Sequence, residues 1–340
     1  MFKIRVNSRE IRFVNRVKEL EKLRELATKG SPLVEFVYGP EGCGKTTLMK
    51  YFAHSIKDNK KYTVIYIDAK EVSDPEKAIY TNINITVKEI LDTITETFNI
   101  PLGGLIALNL SKIISYIVNK FKLFNKNIVI IVDDIVRSIG LDKVEYYVKY
   151  LYELGTKIKI EHEPESLLIL ATTSEGVSRR LITKHRHAVI HLLWNLDKKS
   201  TEELVEQFSN RNIIEDVWEL TGGNPAKIIE LLVRFESNIK KWLSKLEERL
   251  MDIIHIVRLK SLIKYLRDVV ENIDLLYEGY EEGYLKLLEI LEESNLVIYK
   301  GYSTLSEDHV NPDPVLGIGK YYAWQIPAYA IILRKLLNKS

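Results

Sequence analysis

Cysteine is nearly missing from these 340 residues. The single thiol, Cys43, rules out an intramolecular disulfide and points to a reducing compartment. Excess charge is missing as well, with 49 Lys plus Arg against 47 Asp plus Glu. No global field therefore draws the chain to nucleic acid, and any such contact has to come from a local patch. No stretch of about 20 apolar residues is free of charge. The nearest, 102–124, carries Lys112, Lys120 and Lys122 and reads as a helix packed on a sheet with its lysines in water. The start of the chain has no basic-then-apolar signal pattern, so the expectation is a soluble cytoplasmic protein without a membrane partner. Repeats and low-complexity tracts are absent too. His185, His187 and His191 cluster, but no thiol or carboxylate accompanies them at ligand spacing, and they read as ordinary strand-flanking residues.

What is present begins with GPEGCGKTT, residues 39–47, directly behind the apolar run 33–38. Polyphosphate oxygens need many short N–H donors, and Gly39, Gly42 and Gly44 let the backbone curl around them. Pro40, Glu41 and Cys43 complete the loop. The spacing G-x-x-x-x-G-K-[ST] brings Lys45 to the β- and γ-phosphates and the Thr46 hydroxyl to Mg²⁺, with Thr47 opening a helix whose N-terminus faces the phosphates. The context agrees, because 33–38 reads as a short buried strand and Leu48, Met49, Phe52 and Ile56 recur at helical spacing over 47–56.

Further short aliphatic runs at 63–68, 127–133, 167–172 and 188–192 alternate with helical patterns. That rhythm predicts an α/β fold, a P-loop NTPase parallel sheet with helices on both faces. The long second crossover reads as two helices, 87–98 and 105–121. Past Trp194 helices take over: one from a cap at Asp197 or Ser200 through Phe208, one over 214–220, one over 226–235, and a long one over 239–267. A helix over 283–293, strands at 296–299 and 321–325 and a terminal helix then outline a winged helix. The expected units are a P-loop NTPase core at 1–195, a helical lid at 196–250 and a winged-helix-like domain at 251–340.

Hydrolysis needs groups on a neighbouring strand. The run 128–132 ends in Asp133 and Asp134, where Asp133 would hold Mg²⁺ through its water shell and Asp134 would polarise the attacking water. Thr172 or Thr173, at the end of the next strand, could contact the γ-phosphate or the water. Arg179 and Arg180 follow, and could act as arginine fingers in trans in a nucleotide-dependent homo-oligomer.

Together these motifs resemble the archaeal ATPase family of STAND-type P-loop NTPases, relatives of AAA+ origin-recognition initiators. Phe13 Val14 Asn15 Arg16 Val17 Lys18 Glu19 Leu20 is similar to that family's F-V-G-R-x-x-E-L, with Asn15 in place of Gly. The resemblance implies that Phe13, Val14 and Arg16 lie beside an adenine, and that ATP or ADP with Mg²⁺ is bound. Trp194 Asn195 Leu196 Asp197 is similar to the hinge into the lid, without its proline. Gly222 Gly223 Asn224 Pro225 resembles the G-x-P turn whose proline, here Pro225, lies near the base. Ala226 stands where the initiators have a γ-phosphate-sensing arginine. The family's usual Glu beside the Mg²⁺ aspartate is the shorter Asp134, which implies slow turnover. The implied function is a slow, Mg²⁺-dependent ATPase switch coupled to a winged helix that binds duplex DNA. The alternative is a signalling or scaffold switch whose last domain binds a protein; Arg334, Lys335 and Lys339 are a modest basic set for reading DNA.

Overall fold

The computed structural model describes residues 3–338 apart from 8, 70–77, 84, 91, 93–105, 121–124, 135, 137–139, 174, 175, 185, 209 and 210, and apart from the side chains of 106–109, 111 and 177. The central sheet has the order β5-β4-β6-β7-β3-β8. Its strands are β3 (Val34–Tyr38), β4 (Tyr62–Asp68), β5 (Ile79–Thr81), β6 (Asn127–Asp133), β7 (Ser166–Thr173) and β8 (Ala188–Leu192). All neighbours pair in parallel except β5, which runs antiparallel on the edge beside β4. The sequence reading missed β5, a three-residue strand too short to show a period of two.

Alternation along the strands assigns each side chain to a face. Ile65 and Ile67, Ile128, Ile130 and Val132, and Leu167, Ile169 and Ala171 enter one core, with α3 (Ile106–Lys120), α4 (Val144–His162) and α5 (Gly176–Thr183) packed against them. Val64 and Tyr66, Val129 and Ile131, and Leu168 and Leu170 enter the opposite core, covered by α1 (Val17–Lys29) and α2 (Lys45–Ile56). The sheet is thus sandwiched, as its near-continuous apolar strands require. Within α3, Leu110, Ile113, Ile114, Ile117 and Val118 are buried, so the most apolar stretch of the chain is a core helix. Among the described residues no helix is long and apolar enough to cross a membrane. The expected helix over 87–98 falls largely on residues outside those described, as do 105 and 121 at the ends of the next one.

Beyond β8 lie α6 (Lys198–Glu206), capped by Asp197, whose side chain accepts from Ser200 N–H, then α7 (Ile214–Thr221) and α8 (Pro225–Ile229). Pro225 opens α8 behind the N-cap Asn224, and a five-residue π-helical turn over 230–234 continues it, where one regular helix over 226–235 was expected. The helix expected over 239–267 is also two, α9 (Ile239–Leu259) and α10 (Ile263–Glu271), because Ser261 takes a left-handed conformation with φ 57°. Then come α11 (Glu282–Glu293), β9 (Val297–Tyr299), β10 (Tyr322–Trp324) and α12 (Pro327–Asn338), with β9 and β10 antiparallel. One apolar core runs from Leu196 through Trp242 and Leu250 to Leu291 and Leu333, so the helices that follow β8, the expected lid, share their packing with the C-terminal elements.

The connection from β9 to β10 returns to the main sheet. Leu192 N–H donates to Ser303 O, and Leu305 N–H donates to Leu192 O, so this loop covers the exposed edge of β8. At the other end of the chain β1 (Lys3–Val6) and β2 (Arg9–Arg12) form an isolated antiparallel hairpin that the sequence reading did not anticipate.

Candidate nucleotide-binding site

Between β3 and α2 the loop 39–44 turns back on itself. Gly44, the residue before α2, has φ 101°, and a Cβ built there would meet nothing within 4 Å, so its backbone lines an open cradle. Gly42, at φ 83°, lies so close to the lid that a Cβ would stand 2.6 Å from that of Ala226. Both positions need glycine for its left-handed freedom, and Gly42 also for its lack of bulk. Lys45 is buried, and its Nζ donates to Gly39 O at 2.8 Å and Pro40 O at 2.9 Å. The ammonium is therefore held at the mouth of the cradle by two carbonyls, and among the described residues no carboxylate pairs with it.

The strand ends beside the loop follow from register. Val132 lies opposite Ala171, so Asp133 and Thr172 come next side by side, on the α2 face. Thr172 Oγ1 donates to Asp133 Oδ1 at 2.5 Å and accepts from Asp134 N–H at 2.8 Å. Tyr66, on the same face of β4, donates its hydroxyl to Asp133 Oδ2 at 2.8 Å. Burial, and then the Asp133 charge, push the Tyr66 hydroxyl well above its usual value, which keeps it a donor. Asp134 has φ 53°, a left-handed turn that Asp tolerates, and it ends the strand with its carboxyl beside the cleft.

A cleft of about 290 Å³ joins these pieces and is lined by Gly42, Gly44, Lys45, Thr46, Asp134 and Thr172, with Pro225, Ala226 and Ile229 on the lid side. Next to it lies an apolar pocket lined by Phe13, Val14, Arg16, Gly44, Thr47 and Pro225, together with Ile4, Ile11, Leu204 and Ile229. Asn15 and Arg16 are left-handed, at φ 56° and 71°, which an Asn adopts with little strain where the resembling motif has Gly. Asn15 Nδ2 donates to Ser200 Oγ at 2.7 Å. The Arg16 guanidinium donates to Cys43 O at 2.9 Å and Trp194 O at 2.7 Å, bracing the P-loop against the segment that follows β8.

Not every candidate residue lies here. Thr173 alternates to the other face and shares a hydrogen bond with Ser178 Oγ at 2.7 Å. Arg179 and Arg180 both bond the buried Glu292 of α11; Arg179 also lies 4.3 Å from the Tyr299 ring centre and donates to Tyr322 OH at 3.2 Å. Neither arginine lines the cleft. His191 meets Glu35 at 2.6 Å and His187 stacks on Tyr152, while His185 lies outside the described residues. Sequence reasoning missed Tyr66, and it missed a buried chain of amides. Gln325 Oε1 accepts from Glu41 N–H at 2.8 Å, its main-chain O accepts from Asn195 Nδ2 at 3.1 Å, and Asn224 Nδ2 donates to Asn195 Oδ1 at 3.0 Å and Glu41 O at 2.9 Å. Asn195 and Asn224 were legible as motif residues, but nothing local marks Gln325 as their partner.

A glycine cradle with a buried ammonium, next to a buried carboxylate and an apolar pocket, suits a ligand with a polyphosphate tail and a flat apolar head. Residues 13–231 match the family described as an ATPase domain predominantly from Archaea, and the chain belongs to it. It is 25% identical over 324 residues to an uncharacterized ATP-binding protein of Methanocaldococcus jannaschii, covering 84% of each chain. Another such ATP-binding protein, from Pyrococcus abyssi, is 23% identical over 293 residues, covering 79% of this chain and 87% of its own length. Among solved structures, the Aeropyrum pernix ORC2 protein in ADPNP and ADP complexes aligns over 98% of this chain and 97% of its own, at 14% identity and a TM-score of 0.43. AMPPCP-bound DnaA from Aquifex aeolicus aligns over 81% and 80%, at 18% identity and 0.39.

Proposed function

We propose that this chain is a slow, Mg²⁺-dependent ATP hydrolase working as a nucleotide switch whose state is passed to its C-terminal elements, read as a winged-helix-like domain. The observation that carries it is the convergence on one cleft of Lys45, Thr46, Thr172 and Asp134, with Asp133 buried directly behind them. Gly42, Gly44, Lys45 and Thr46 hold the phosphates, while Phe13, Val14 and Pro225 flank the base. Thr46 and Asp133 are of the right chemistry for Mg²⁺ and its water shell; bound there, the ion would neutralise charge on the β- and γ-phosphates. Asp134 orients and polarises the attacking water. Thr172 fixes both carboxylates' strand ends through its bonds to Asp133 and Asp134 N–H. The switch reading is supported by the amide chain, since Gln325 of the C-terminal unit bonds the P-loop backbone directly.

For the output, the ion pairs favour a protein partner over duplex DNA. Arg334 is paired with Glu271 and Lys335 with Glu247, which neutralises the cations of α12. α11 exposes Glu289 and Glu293, and Leu285 and Tyr280 are 52% and 96% exposed nearby. Polyanion binding needs unpaired cations, whereas mixed apolar and acidic surface suits a protein.

Titration with a fluorescent ATP analogue and Mg²⁺, beside a Lys45→Ala variant, tests the site, with at least a hundredfold loss of affinity expected in the variant. Phosphate release is then followed with and without duplex DNA at several salt concentrations. Equal binding by parent and variant would sink the nucleotide reading. DNA-stimulated release that falls steeply with salt would restore DNA as the partner.

A further inference from the structure

The family match begins at Phe13, so the hairpin formed by β1 and β2 lies outside it. A free two-stranded hairpin is at best marginally stable in water, and this one joins no larger sheet. Something has to hold it. Ile4 and Ile11, directly opposite each other in the hairpin register, both line the apolar pocket that Phe13, Val14 and Pro225 also line. Ile11 is 4% exposed.

The hairpin is also fastened from the lid side. Gln207, just past α6, spans the Arg12 backbone: its Oε1 accepts from Arg12 N–H at 2.7 Å and its Nε2 donates to Arg12 O at 3.5 Å. The Arg9 guanidinium lies 6.0 Å from the Phe208 ring centre, a cation–π distance. The hairpin therefore touches both the pocket and the helix that closes over it.

We infer that the N-terminal hairpin is the outer wall of a purine-base subsite, with Ile4 and Ile11 packing against the base, so that it contributes to affinity for a nucleotide but not for its phosphate tail. This rests on the nucleotide reading of the cleft. Apolar side chains on a ring face act through area removed from water, while the triphosphate is held across Gly44 and Lys45 by hydrogen bonds and charge. The two contributions are separable with two ligands.

Mg²⁺–ATP and inorganic Mg²⁺–tripolyphosphate are titrated by calorimetry into the full chain and into Ile4→Ala. Truncating Ile4 removes roughly 40 Å² of contact, so ATP affinity is expected to fall about three- to tenfold, with tripolyphosphate affinity unchanged within about twofold. An equal fall for both ligands, or none for either, overturns the hairpin inference and leaves the nucleotide site standing. Failure of the parent to bind either ligand removes both. Hydrogen exchange on the parent alone needs no variant: ATP should slow exchange of hairpin amides, and tripolyphosphate should not. Equal protection by the two ligands, or protection by neither, likewise overturns it.

Discussion

Asp134 stands where a strand ends in a left-handed turn, and that conformation makes it open to a clean test. Asn is among the residues best suited to φ above zero, so Asp134→Asn keeps the backbone and removes only the charge. The expected outcome is unchanged ATP binding with hydrolysis down at least a hundredfold, read by phosphate release; full turnover would take Asp134 out of the mechanism. Tyr66 makes a different prediction. Tyr66→Phe deletes one of the two hydroxyl donors to Asp133, which is 1% exposed, and leaves Oδ2 short of a partner. Stability in urea should drop by about 1–2 kcal/mol, and on the proposed reading of Asp133 as the Mg²⁺-holding carboxylate, hydrolysis should fall more than ATP affinity because a group that positions it has gone. A variant with unaltered stability and turnover would make the Tyr66 hydroxyl a bystander.

Elements decide which side chains can meet. The alternation of β7 was readable in the sequence, and it alone separates Thr172, on the cleft side, from Thr173, on the side of Ser178. The parallel strands, the P-loop helix and a cap at Asp197 or Ser200, of which the structure uses Asp197, were legible for the same reason: each rests on a local pattern. The edge strand β5, the break at Ser261 and the N-terminal hairpin were not, because a few residues of strand or one left-handed turn leave no periodic trace. Least legible were contacts such as Glu41 with Gln325, 284 residues apart, where neither residue has any feature that names the other. Asn224 links these levels, as N-cap of α8 and as donor to the P-loop. Asn224→Ala should lose about 2 kcal/mol in urea unfolding and weaken ATP binding severalfold, since a cap and two buried bonds go together. Stability lost without any change in nucleotide affinity would confine the amide chain to folding.

At the scale of the molecule, the sheet domain and the C-terminal elements are joined at separate places: the amide chain at the P-loop, the 303–305 backbone along β8, and the cluster around Glu292. That carboxylate is fully buried between Arg179 and Arg180. Removing one partner of a buried ion pair strands the other, so Glu292→Ala should cost about 3 kcal/mol of stability, measured by urea denaturation. A loss below about 1 kcal/mol would show that water reaches the guanidinium groups and that the joint is loose. Tyr38, the residue just before the P-loop, adds to this joint: its hydroxyl is buried with no hydrogen-bond partner among the described residues, and burial raises it well above its usual range.

The same joint sets an order of events. Arg179 and Arg180 are both held by Glu292 of their own chain, so a copy in this conformation has neither of the two to lend to a neighbour. If Arg179 or Arg180 served in trans, every subunit donating one would first have to break its bond to Glu292. Crowding copies together would then be insufficient to bring either arginine to a neighbour's cleft, and breaking the Glu292 bonds would be the first event.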